Sequence, residues 1–470
     1  MKPTVSRRDV LAGSAALATV PLLGSHVHSA AIPAQELKVD ANAGRWPLVG
    51  GSGPMTEVWC YGNRVPGPEL RVKQGQPIRV IVRNDLPEET TVHWHGIRLP
   101  NAMDGVPGLT QKPIKPGETF TYEFTPPDAG TFWYHPHSDS LRQLGRGMAG
   151  ALIVEEPQPI SVDRELVWMI ADWRLTREAQ IAPGFGSMMD AAMAGRLGNT
   201  VTINGAISNE MPVKAGERIR LRLINSALAR MMALRFEGHR PVVVALDGQP
   251  CEPHVSERLL LGPAMRADLI IDMQGEPGNR YRIVDDFYPD LSYWLTELVY
   301  EAAPALRTQR LDTPALPRNP LTEPDLTSAE RQELTLQGGM KSSGGMMGGM
   351  MGMGGMGNSA PWAINGTSMT GDGHAGMTPL MTLKLGRSYV FTIRNETAWW
   401  HPMHLHGHSF RVLTRNRTPV AHHQWMDTVP IAPKETAEIA FVADNPGDWM
   451  LHCHVADHQV SGMMTVLRVG

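Results

Sequence analysis

Four His-x-His pairs are the residues of this chain with the clearest chemistry. Side chains alternate along a strand, so both imidazoles of such a pair lie on one face and can hold one metal ion or two adjacent ions. A single pair would be weak evidence, because a buried histidine bonded to backbone is commoner than a ligand. Four pairs together predict a metal site. They are His93/His95, His135/His137, His404/His406 and His452/His454.

A cysteine lies inside the last pair. In a strand Cys453 faces away from its two histidine neighbours, so its thiolate can bind a metal on one side while they bind metals on the other. Cys453, His458, a second histidine and a weak axial Met463 match the ligand set of a blue-copper electron-transfer centre. We predict His401 as that histidine, because the four pairs do not need it. Zinc is the alternative metal, but a structural zinc site is a closed four-ligand cage.

A repeated segment predicts the elements that position these residues. In each copy a glycine turn precedes a run of β-branched and apolar residues, and an asparagine follows the glycine by nine positions, which is a strand signature. The copies are Val72–Asn84, Val213–Asn225 and Leu383–Asn395. Three copies of one β domain follow, so the fold class is all-β. We place the domains at residues 45–157, 158–315 and 316–470.

The histidine pairs fall at matching places in the first and third copies. His93 and His404 each lie nine residues beyond the repeat asparagine, where the middle copy has Leu234. At the place of the later pairs the middle copy has Ile283. We therefore predict a metal site made by both outer copies, which face one another across a pseudo-twofold axis.

The chain resembles the multicopper oxidases, a family of three cupredoxin domains (Greek-key β-sandwiches or barrels) that includes laccases and bacterial cuprous oxidases. The resemblance rests on all four histidine motifs and covers nearly the whole mature chain. It implies four copper ions. By position, it assigns type 1 copper to His401, Cys453, His458 and Met463, type 2 copper to His93 and His404, one type 3 ion to His95, His135 and His454, and the other to His137, His406 and His452.

The same resemblance implies an activity. Substrate loses single electrons at type 1 copper, Cys453 passes them to its histidine neighbours, and dioxygen is reduced by four electrons to water at the trinuclear cluster. Proton delivery needs a carboxylate, and Asp104 matches the family position. Local sequence allows a solvent-exposed turn aspartate before Gly105 equally well. Gln459 stands where some cuprous oxidases have a glutamate, and an amide cannot act as a general acid.

Methionines indicate the substrate. The chain has 28 methionines, and seven of them fall in residues 340–356, which have no helical or strand period and are expected to form a flexible loop. Thioether sulfur selects Cu(I), so these residues are candidates for capturing Cu(I). They are Met340, Met346, Met347, Met350, Met351, Met353 and Met356. Thr397 and Trp399 replace an acid and a methionine of the cuprous oxidases, so phenols remain possible substrates.

The remaining composition bears on compartment and partners. Ser6-Arg7-Arg8 followed by the uncharged residues 10–23 resembles a twin-arginine signal, so residues 1–31 are expected to be removed by export to the periplasm. A net charge of −4 without charge runs argues against a nucleic-acid partner. We expect a monomer with no membrane span. Cys60 and Cys251 are either buried thiols or a bridge between the first two domains.

Three other functions stay open. A general laccase would oxidise phenols, with the methionine segment as a plain linker. A non-catalytic periplasmic scaffold would share the fold without the chemistry. A copper-storage protein would explain the methionines but not the bridging Cys453. The eight histidines outside the metal sets, including His408, His422 and His423, are assigned to surface or core packing.

Overall fold

The computed structural model describes residues 33–51, 53–309, 311–340, 361–371, 374 and 376–470. The expected signal peptide and most of the methionine segment lie outside these residues. Strands dominate the described part, where the helices are short: α1 (Ser140–Gly145), α2 (Met188–Ala192), α3 (Ala456–Val460) and two single 3-10 turns, Asn101–Met103 and Pro289–Leu291. None of the described helices is long and apolar enough to cross a membrane. The predicted all-β class is confirmed.

The first β-sandwich is formed by the described residues from Gln35 to Glu155. Its strands are β1 (Gln35–Trp46), β2 (Thr56–Tyr61), β3 (Leu70–Lys73), β4 (Ile78–Asn84), β5 (His93–His95), β6 (Thr119–Phe124), β7 (Gly130–His135) and β8 (Gly150–Glu155). They form sheets in the orders β2-β1-β4-β6 and β3-β8-β7-β5. Trp94 of β5 packs on Tyr122 and Phe124 of β6, so the two sheets share one apolar core.

The second sandwich follows. Its strands are β9 (Arg164–Trp173), β10 (Thr200–Ile203), β11 (Glu210–Val213), β12 (Arg218–Asn225), β13 (Met232–Phe236), β14 (Val242–Leu246), β15 (Gln249–Val255), β16 (Leu259–Leu261), β17 (Arg266–Asp272), β18 (Arg280–Asp285) and β19 (Tyr293–Tyr300). The sheet orders are β10-β9-β12-β17-β14-β15 and β11-β19-β18-β13-β16.

The third sandwich has the same plan. Its strands are β20 (Glu330–Gly338), β21 (Trp362–Ile364), β22 (Met369–Thr370), β23 (Met381–Leu383), β24 (Ser388–Asn395), β25 (His401–Leu405), β26 (Phe410–Arg415), β27 (Thr418–Pro419), β28 (Trp425–Met426), β29 (Thr428–Ile431), β30 (Thr436–Val442), β31 (Gly447–Cys453), β32 (Ser461–Gly462) and β33 (Met464–Val469). The main sheets run β21-β20-β24-β30-β26-β27, with β28 beside β26, and β23-β33-β31-β25-β29, while β22 pairs with β32.

The proposed domain boundaries can be compared with these strands. The boundary at 157/158 falls between β8 and β9, and that at 315/316 falls between β19 and β20. Strand β1 begins at Gln35, ahead of the proposed start at residue 45, and pairs in parallel with β4 of the first repeat.

Each sequence repeat is a strand, a glycine turn and a second strand that enters the other sheet of its sandwich. The glycines Gly75, Gly216 and Gly386 have φ values of 73°, 75° and 76°, a backbone conformation that side chains disfavour. The repeat asparagine ends the second strand and is buried in every copy. In the third copy the Asn395 amide donates to the Trp399 and Ala432 carbonyls, and its oxygen accepts from the Thr397 N–H. The asparagine thus fixes the loop that leads to the histidine strand.

The histidine strands pair in the same way in both outer copies. His93 of β5 lies opposite His135 of β7, and His404 of β25 lies opposite His452 of β31. All four side chains are buried. The two outer copies therefore present equivalent pairs of histidines from adjacent antiparallel strands.

The middle copy is different in register as well as in residue type. Leu234 of β13 lies opposite Asp285 of β18, while Ile283 lies opposite Phe236. Asp285 is buried and accepts a hydrogen bond from the Ala233 N–H. The structural counterpart of the later histidines is thus two residues beyond the one obtained by counting from the glycine, and it too is not a histidine.

Candidate metal centre

Buried histidines and one cysteine gather into compact groups, three of them between the first and third sandwiches and one within the third. Within each group the potential ligand atoms lie within 4.8 Å of one another. Among the described residues the His and Cys groups are His93/His95/His404, His95/His135/His454, His137/His406/His452 and His401/Cys453/His458. The structure thus brings together the histidines and the cysteine that the family resemblance assigns to common copper sites.

The first three groups interlock the two outer sandwiches. His95 stacks on His404 with ring centroids 3.7 Å apart, and His93 stacks on His406 at 3.9 Å. Each stack joins a histidine of β5 to a histidine of the third sandwich. His404 lies in β25, and His406 directly follows that strand. The paired histidine strands therefore meet across the domain interface, as the pseudo-twofold prediction requires.

Hydrogen bonds determine which ring nitrogens face inward. His406 Nδ1 lies 2.8 Å from an Asp104 carboxylate oxygen, and His452 Nδ1 lies 3.0 Å from the Cys453 carbonyl oxygen. Both partners accept, so both Nδ1 atoms carry the hydrogen and both Nε2 atoms have a free lone pair. These two Nε2 atoms face each other at 3.0 Å. Two lone pairs at this distance repel one another unless a cation lies between them.

The histidines assigned to type 2 copper are held in the same way. His93 Nδ1 donates to the Asp104 carbonyl at 2.8 Å, and His404 Nδ1 donates to the Asp427 carbonyl at 2.9 Å. The Nε2 atoms of both rings are buried without a partner. His95 is reversed, because its Nε2 bonds to Asp427 at 3.1 Å and leaves Nδ1 as the unpartnered atom.

The remaining histidines of these groups also have ring nitrogens without a hydrogen-bond partner among the described residues. Buried ring atoms without a partner are His135 Nε2 and both nitrogens of His137 and of His454. Burial holds the pKa of each of these rings well below its usual range, so they are neutral and keep a free lone pair. Buried polar atoms are normally satisfied, and this concentration of lone pairs fits metal ions.

The fourth group has a cysteine and a different ring orientation. The Cys453 sulfur lies 3.5 Å from His401 Nδ1 and 3.6 Å from His458 Nδ1, and these nitrogens are 3.1 Å apart. His458 Nε2 donates to the Met193 carbonyl at 2.7 Å, which leaves its Nδ1 lone pair free. Burial lowers the pKa of His458 to about 3, so the ring is neutral. Burial also raises the pKa of the Cys453 thiol, which needs a cation to ionise.

Thr397 orients the second histidine of this group. Its hydroxyl donates to Asn395 Oδ1 at 2.8 Å, and it accepts from His401 Nε2 at 2.8 Å, so His401 also turns its Nδ1 lone pair toward Cys453. The residue that departs from the cuprous oxidase pattern therefore has a positioning role here. Met463 is buried, and its N–H donates to the His458 carbonyl while its carbonyl accepts from the Cys453 N–H.

Comparisons with known proteins identify the family. Models described as multicopper oxidase match residues 46–159, 164–293 and 353–470. Multicopper oxidase MmcO of Mycobacterium tuberculosis is 31% identical over 88% of this chain and 84% of its own length. The chain belongs to the multicopper oxidase family. Copper resistance protein A of Escherichia coli is 34% identical over 45% of this chain and 42% of its own. The multicopper oxidase from Pseudomonas thermotolerans, a crystal structure, is 35% identical, with a TM-score of 0.82 over 93% of this chain and 100% of that chain.

Members of this family use four copper ions and dioxygen, so this multicopper oxidase is an oxidoreductase with four coppers as cofactors. The donor sets fit that requirement. The sulfur-containing group suits the soft ligand demand of type 1 copper, and the imidazole groups suit the trinuclear cluster.

Asp104 is not a solvent-exposed turn residue. It is 1% exposed, and its carboxylate lies 2.8 Å from His406 Nδ1 and 3.2 Å from His93 Nδ1. The turn that carries it, Asn101–Met103, therefore directs the carboxylate into the interface between the outer sandwiches. In contrast, Gln459 is buried on α3 with its amide nitrogen unpartnered.

Sequence reasoning missed a buried carboxylate network behind the cluster. Asp427 bonds to His95 and, through its backbone carbonyl, to His404. Arg266 of the middle sandwich holds both carboxylate oxygens of Asp427, at 2.8 and 2.5 Å. Burial alone would raise the pKa of Asp427, but the Arg266 guanidinium outweighs it and holds that pKa well below its usual range. No local motif distinguishes these residues in the sequence.

The other predicted residues are placed as follows. Cys60 and Cys251 are both buried free thiols, so the bridge between the first two domains is not formed. Of the seven methionines in residues 340–356, Met340 is described and half-exposed, and the other six lie outside the described residues. His422 and His423 lie at the surface, and His408 is buried against Trp449.

Proposed function

We propose that this multicopper oxidase is a cuprous oxidase, which removes one electron at a time from Cu(I) at a type 1 copper and reduces dioxygen to water at the trinuclear cluster. The observation that carries the proposal is the position of the methionine-rich segment. Two described residues flank the rest of this segment: Met340 bonds to Trp399, two residues before His401, and Trp362 packs against His401 and His458.

The ligand assignment belongs to this proposal. Type 1 copper is held by His401, Cys453, His458 and Met463. Type 2 copper is held by His93 and His404, and the type 3 pair by His95, His135 and His454 on one ion and His137, His406 and His452 on the other. The orphaned lone pairs described above support this division.

The N-terminal end of the segment is Met340. Its N–H donates to the Ala192 carbonyl, and its carbonyl accepts from the Trp399 indole at 2.9 Å. At the other end the Trp362 ring lies 4.2 Å from His458 and 5.0 Å from His401. The other six methionines of the segment lie between these two anchors in the sequence.

Two further methionines lie on α2, the helix that precedes Met193. Met188 and Met189 of α2 are 81% and 62% exposed, although large apolar side chains usually avoid solvent. Helix α2 ends at Ala192, next to the Met193 carbonyl that accepts from His458. Soft thioethers at the rim of the type 1 group favour Cu(I) as the ion that is captured.

The type 1 histidines themselves are covered. His401 and His458 are both fully buried, and Trp362 packs against each of them. A bulky phenol cannot contact either imidazole directly. A metal ion held by thioethers needs only electron transfer through the covering side chains.

The copper ions supply the one-electron chemistry and the reduction of dioxygen. The protein chain connects the copper sites and holds a proton near the trinuclear cluster. Cys453 is covalently joined to His452 and His454, and the His452 Nδ1–H bond to the Cys453 carbonyl adds a second connection between the groups. Asp104 lies at hydrogen-bond distance from two cluster histidines and is the candidate carboxylate for holding a proton there.

A laccase-like oxidation of phenols is the second candidate. Thr397 replaces the acid of the cuprous oxidases, which favours a different or weaker Cu(I) site. A non-catalytic scaffold or a copper-storage protein is opposed by the complete set of buried donors. A role in copper tolerance is supported by the similarity to copper resistance protein A. Twin-arginine export to the periplasm is proposed from the N-terminal residues, and a monomeric state remains part of the proposal.

Oxygen uptake by the copper-loaded protein tests the proposal, with Cu(I) and a panel of phenols compared at equal protein concentration. We expect a higher rate with Cu(I) than with any bulky phenol. Faster uptake with phenols would make the protein a laccase. No uptake by a blue protein with either substrate class would contradict the proposal.

A further inference from the structure

His374 is a buried histidine that no proposed copper site uses. It is fully buried, and neither of its ring nitrogens has a hydrogen-bond partner among the described residues. A neutral imidazole keeps one lone pair, so a buried ring without a hydrogen-bond partner can act as a metal ligand. Leaving such a group unsatisfied costs stability, so its position calls for a ligand or a function.

The ring lies at the edge of the trinuclear cluster. Its centroid is 5.7 Å from that of His137, which is comparable to the 5.5 Å between His137 and His452. Even so, His374 belongs to none of the compact donor groups among the described residues. It therefore stands just outside the cluster rather than inside it.

Four methionines form a cluster at the β31–β33 strand pair, which carries His452. Met450 and Met464 are fully buried, and Met369 and Met377, which are half-buried, pack against them. Met464 lies directly opposite His452 in the β31–β33 pairing. A methionine cluster alone is ordinary core packing, because the flexible thioether side chain fills irregular space.

The chain connects the methionine cluster to His374. Met377 follows His374 by three residues, and its N–H donates to the His374 carbonyl. Met369 precedes His374 by five residues. Methionines therefore lie on both sides of His374 in the chain. In the methionine cluster, Met369 and Met377 are half-buried and Met450 and Met464 are fully buried. An incoming ion would pass from the half-buried thioethers to the fully buried ones.

We propose that His374 and the thioethers of Met369, Met377, Met450 and Met464 form a binding site for Cu(I) beside the trinuclear cluster. Thioethers with one neutral imidazole are a soft donor set without charge, which suits a monovalent d10 ion and disfavours Cu(II) or zinc. An ion held there is next to His137 and His452, so the site loads copper into the cluster. The inference depends on the trinuclear copper cluster, but it does not depend on cuprous oxidase activity.

Silver binding tests the site. Ag(I) is a soft monovalent ion that the copper-loaded enzyme does not turn over. The oxidised holoenzyme is saturated with Ag(I) and freed of excess by gel filtration, and the bound silver is counted by mass spectrometry. Two independent variants remove donors: His374→Phe, and Met450→Leu with Met464→Leu, which nearly conserves volume. Met211→Leu with Met273→Leu, in the middle sandwich, is the matched control.

We expect both test variants to retain about one Ag(I) fewer per molecule than the wild type and the control, since their soft donors are incomplete. The methionines of residues 341–356 are present in all four proteins, so they do not affect the difference. An unchanged blue absorption in the variants shows that the fold and type 1 copper are intact. Equal silver content in all four proteins would overturn the site.

Copper loading tests the route. The metal-free proteins are mixed with limiting Cu(I) without oxygen, and the copper incorporated is followed with time. Both test variants should fill the trinuclear cluster more slowly than the control and reach the same final content. If silver is lost but the time courses coincide, the site does not load the cluster and that part of the proposal is wrong. Neither measurement depends on substrate turnover, so failure of the proposed oxidase activity would be seen separately.

Discussion

At the scale of single residues, Cys453 has the most sharply defined role. It is the one sulfur donor in the compact groups of the described residues, and His401 and His458 both turn their Nδ1 atoms toward it. Replacing it with serine exchanges a soft donor for a hard one of similar size.

We predict that Cys453→Ser abolishes the intense visible absorption and the oxidase activity while the protein still folds. The charge-transfer band needs the thiolate, and no other described thiol is near the group. Absorption spectra, copper analysis and circular dichroism of the purified variant measure this. A blue and active Cys453→Ser protein would contradict the assignment.

Asp104 is defined by its two histidine partners. In Asp104→Asn the amide oxygen can still accept from His406 Nδ1, so the histidine keeps its orientation. We predict normal copper content and blue absorption with turnover slowed by roughly 10²–10⁴-fold, since the proton-holding group is lost. Oxygen uptake at saturating substrate is the measurement. Unchanged uptake would leave Asp104 as a residue that only orients histidines.

At the scale of elements, a hairpin of the middle sandwich supports the cluster. The turn between β14 and β15 is Asp247-Gly248, and both residues have positive φ, as a two-residue hairpin requires. It directs the buried Asp247 carboxylate to the backbone N–H groups of Asp427 and Thr428. The middle sandwich has no histidine pairs, but it holds the loop that orients His95 and His404.

Arg266 should be essential to this support. In Arg266→Met the buried Asp427 carboxylate loses its cation, and breaking such a pair typically costs about 3–5 kcal/mol. We predict a fall of that size in the free energy of unfolding, together with weaker copper retention. Denaturant unfolding and copper analysis measure both effects. Arg79→Met, which breaks the exposed pair with Glu123, is the control and should cost about 1 kcal/mol or less.

Asp247 should make the stability of the copper-free protein depend on pH. Burial, and then the charge of Asp427, raise the pKa of Asp247 to about 7, whereas an unfolded aspartate titrates near 4. The folded state therefore holds an extra proton between these values. The stability it contributes is present below about pH 4 and is lost as pH rises through about 7.

Urea unfolding at several pH values measures this dependence. The difference in unfolding free energy between the wild type and Asp247→Asn should change between pH 4 and 7 and become constant at higher pH. A difference that is independent of pH would show that Asp247 titrates normally.

At the scale of the whole molecule, the proposed Cu(I) substrate depends on the methionine segment. Deleting residues 341–356 keeps Met340, whose backbone bonds join Ala192 and Trp399. We predict slower Cu(I) oxidation at low free copper, because capture is lost, while phenols are oxidised as well as before or better. Loop shortening itself should be mild, at about 0.6 kcal/mol per halving of length.

Oxygen uptake with both substrate classes checks the deletion, and equal copper loading of the two proteins controls for folding. A deletion that slows Cu(I) and phenol oxidation equally would mean that the segment serves structure. The function would then be that of a general laccase.

The sequence alone determined the β class and the three repeats, and it predicted the donors, from the His-x-His pairs to Cys453 and His458. These follow from residue type and from the alternation of a strand, which act over a few residues. Local spacing failed in the middle copy, where Asp285 rather than Ile283 lies opposite Leu234, because strand pairing sets the register.

Only the tertiary structure decided what surrounds the donors. Asp104 was equally compatible with an exposed turn until packing of the outer sandwiches buried it. The contact of Arg266 with Asp427 joins residues 161 positions apart, and His374 meets His137 across two domains. Such contacts depend on how separate sandwiches dock, and docking leaves no periodic pattern in the chain.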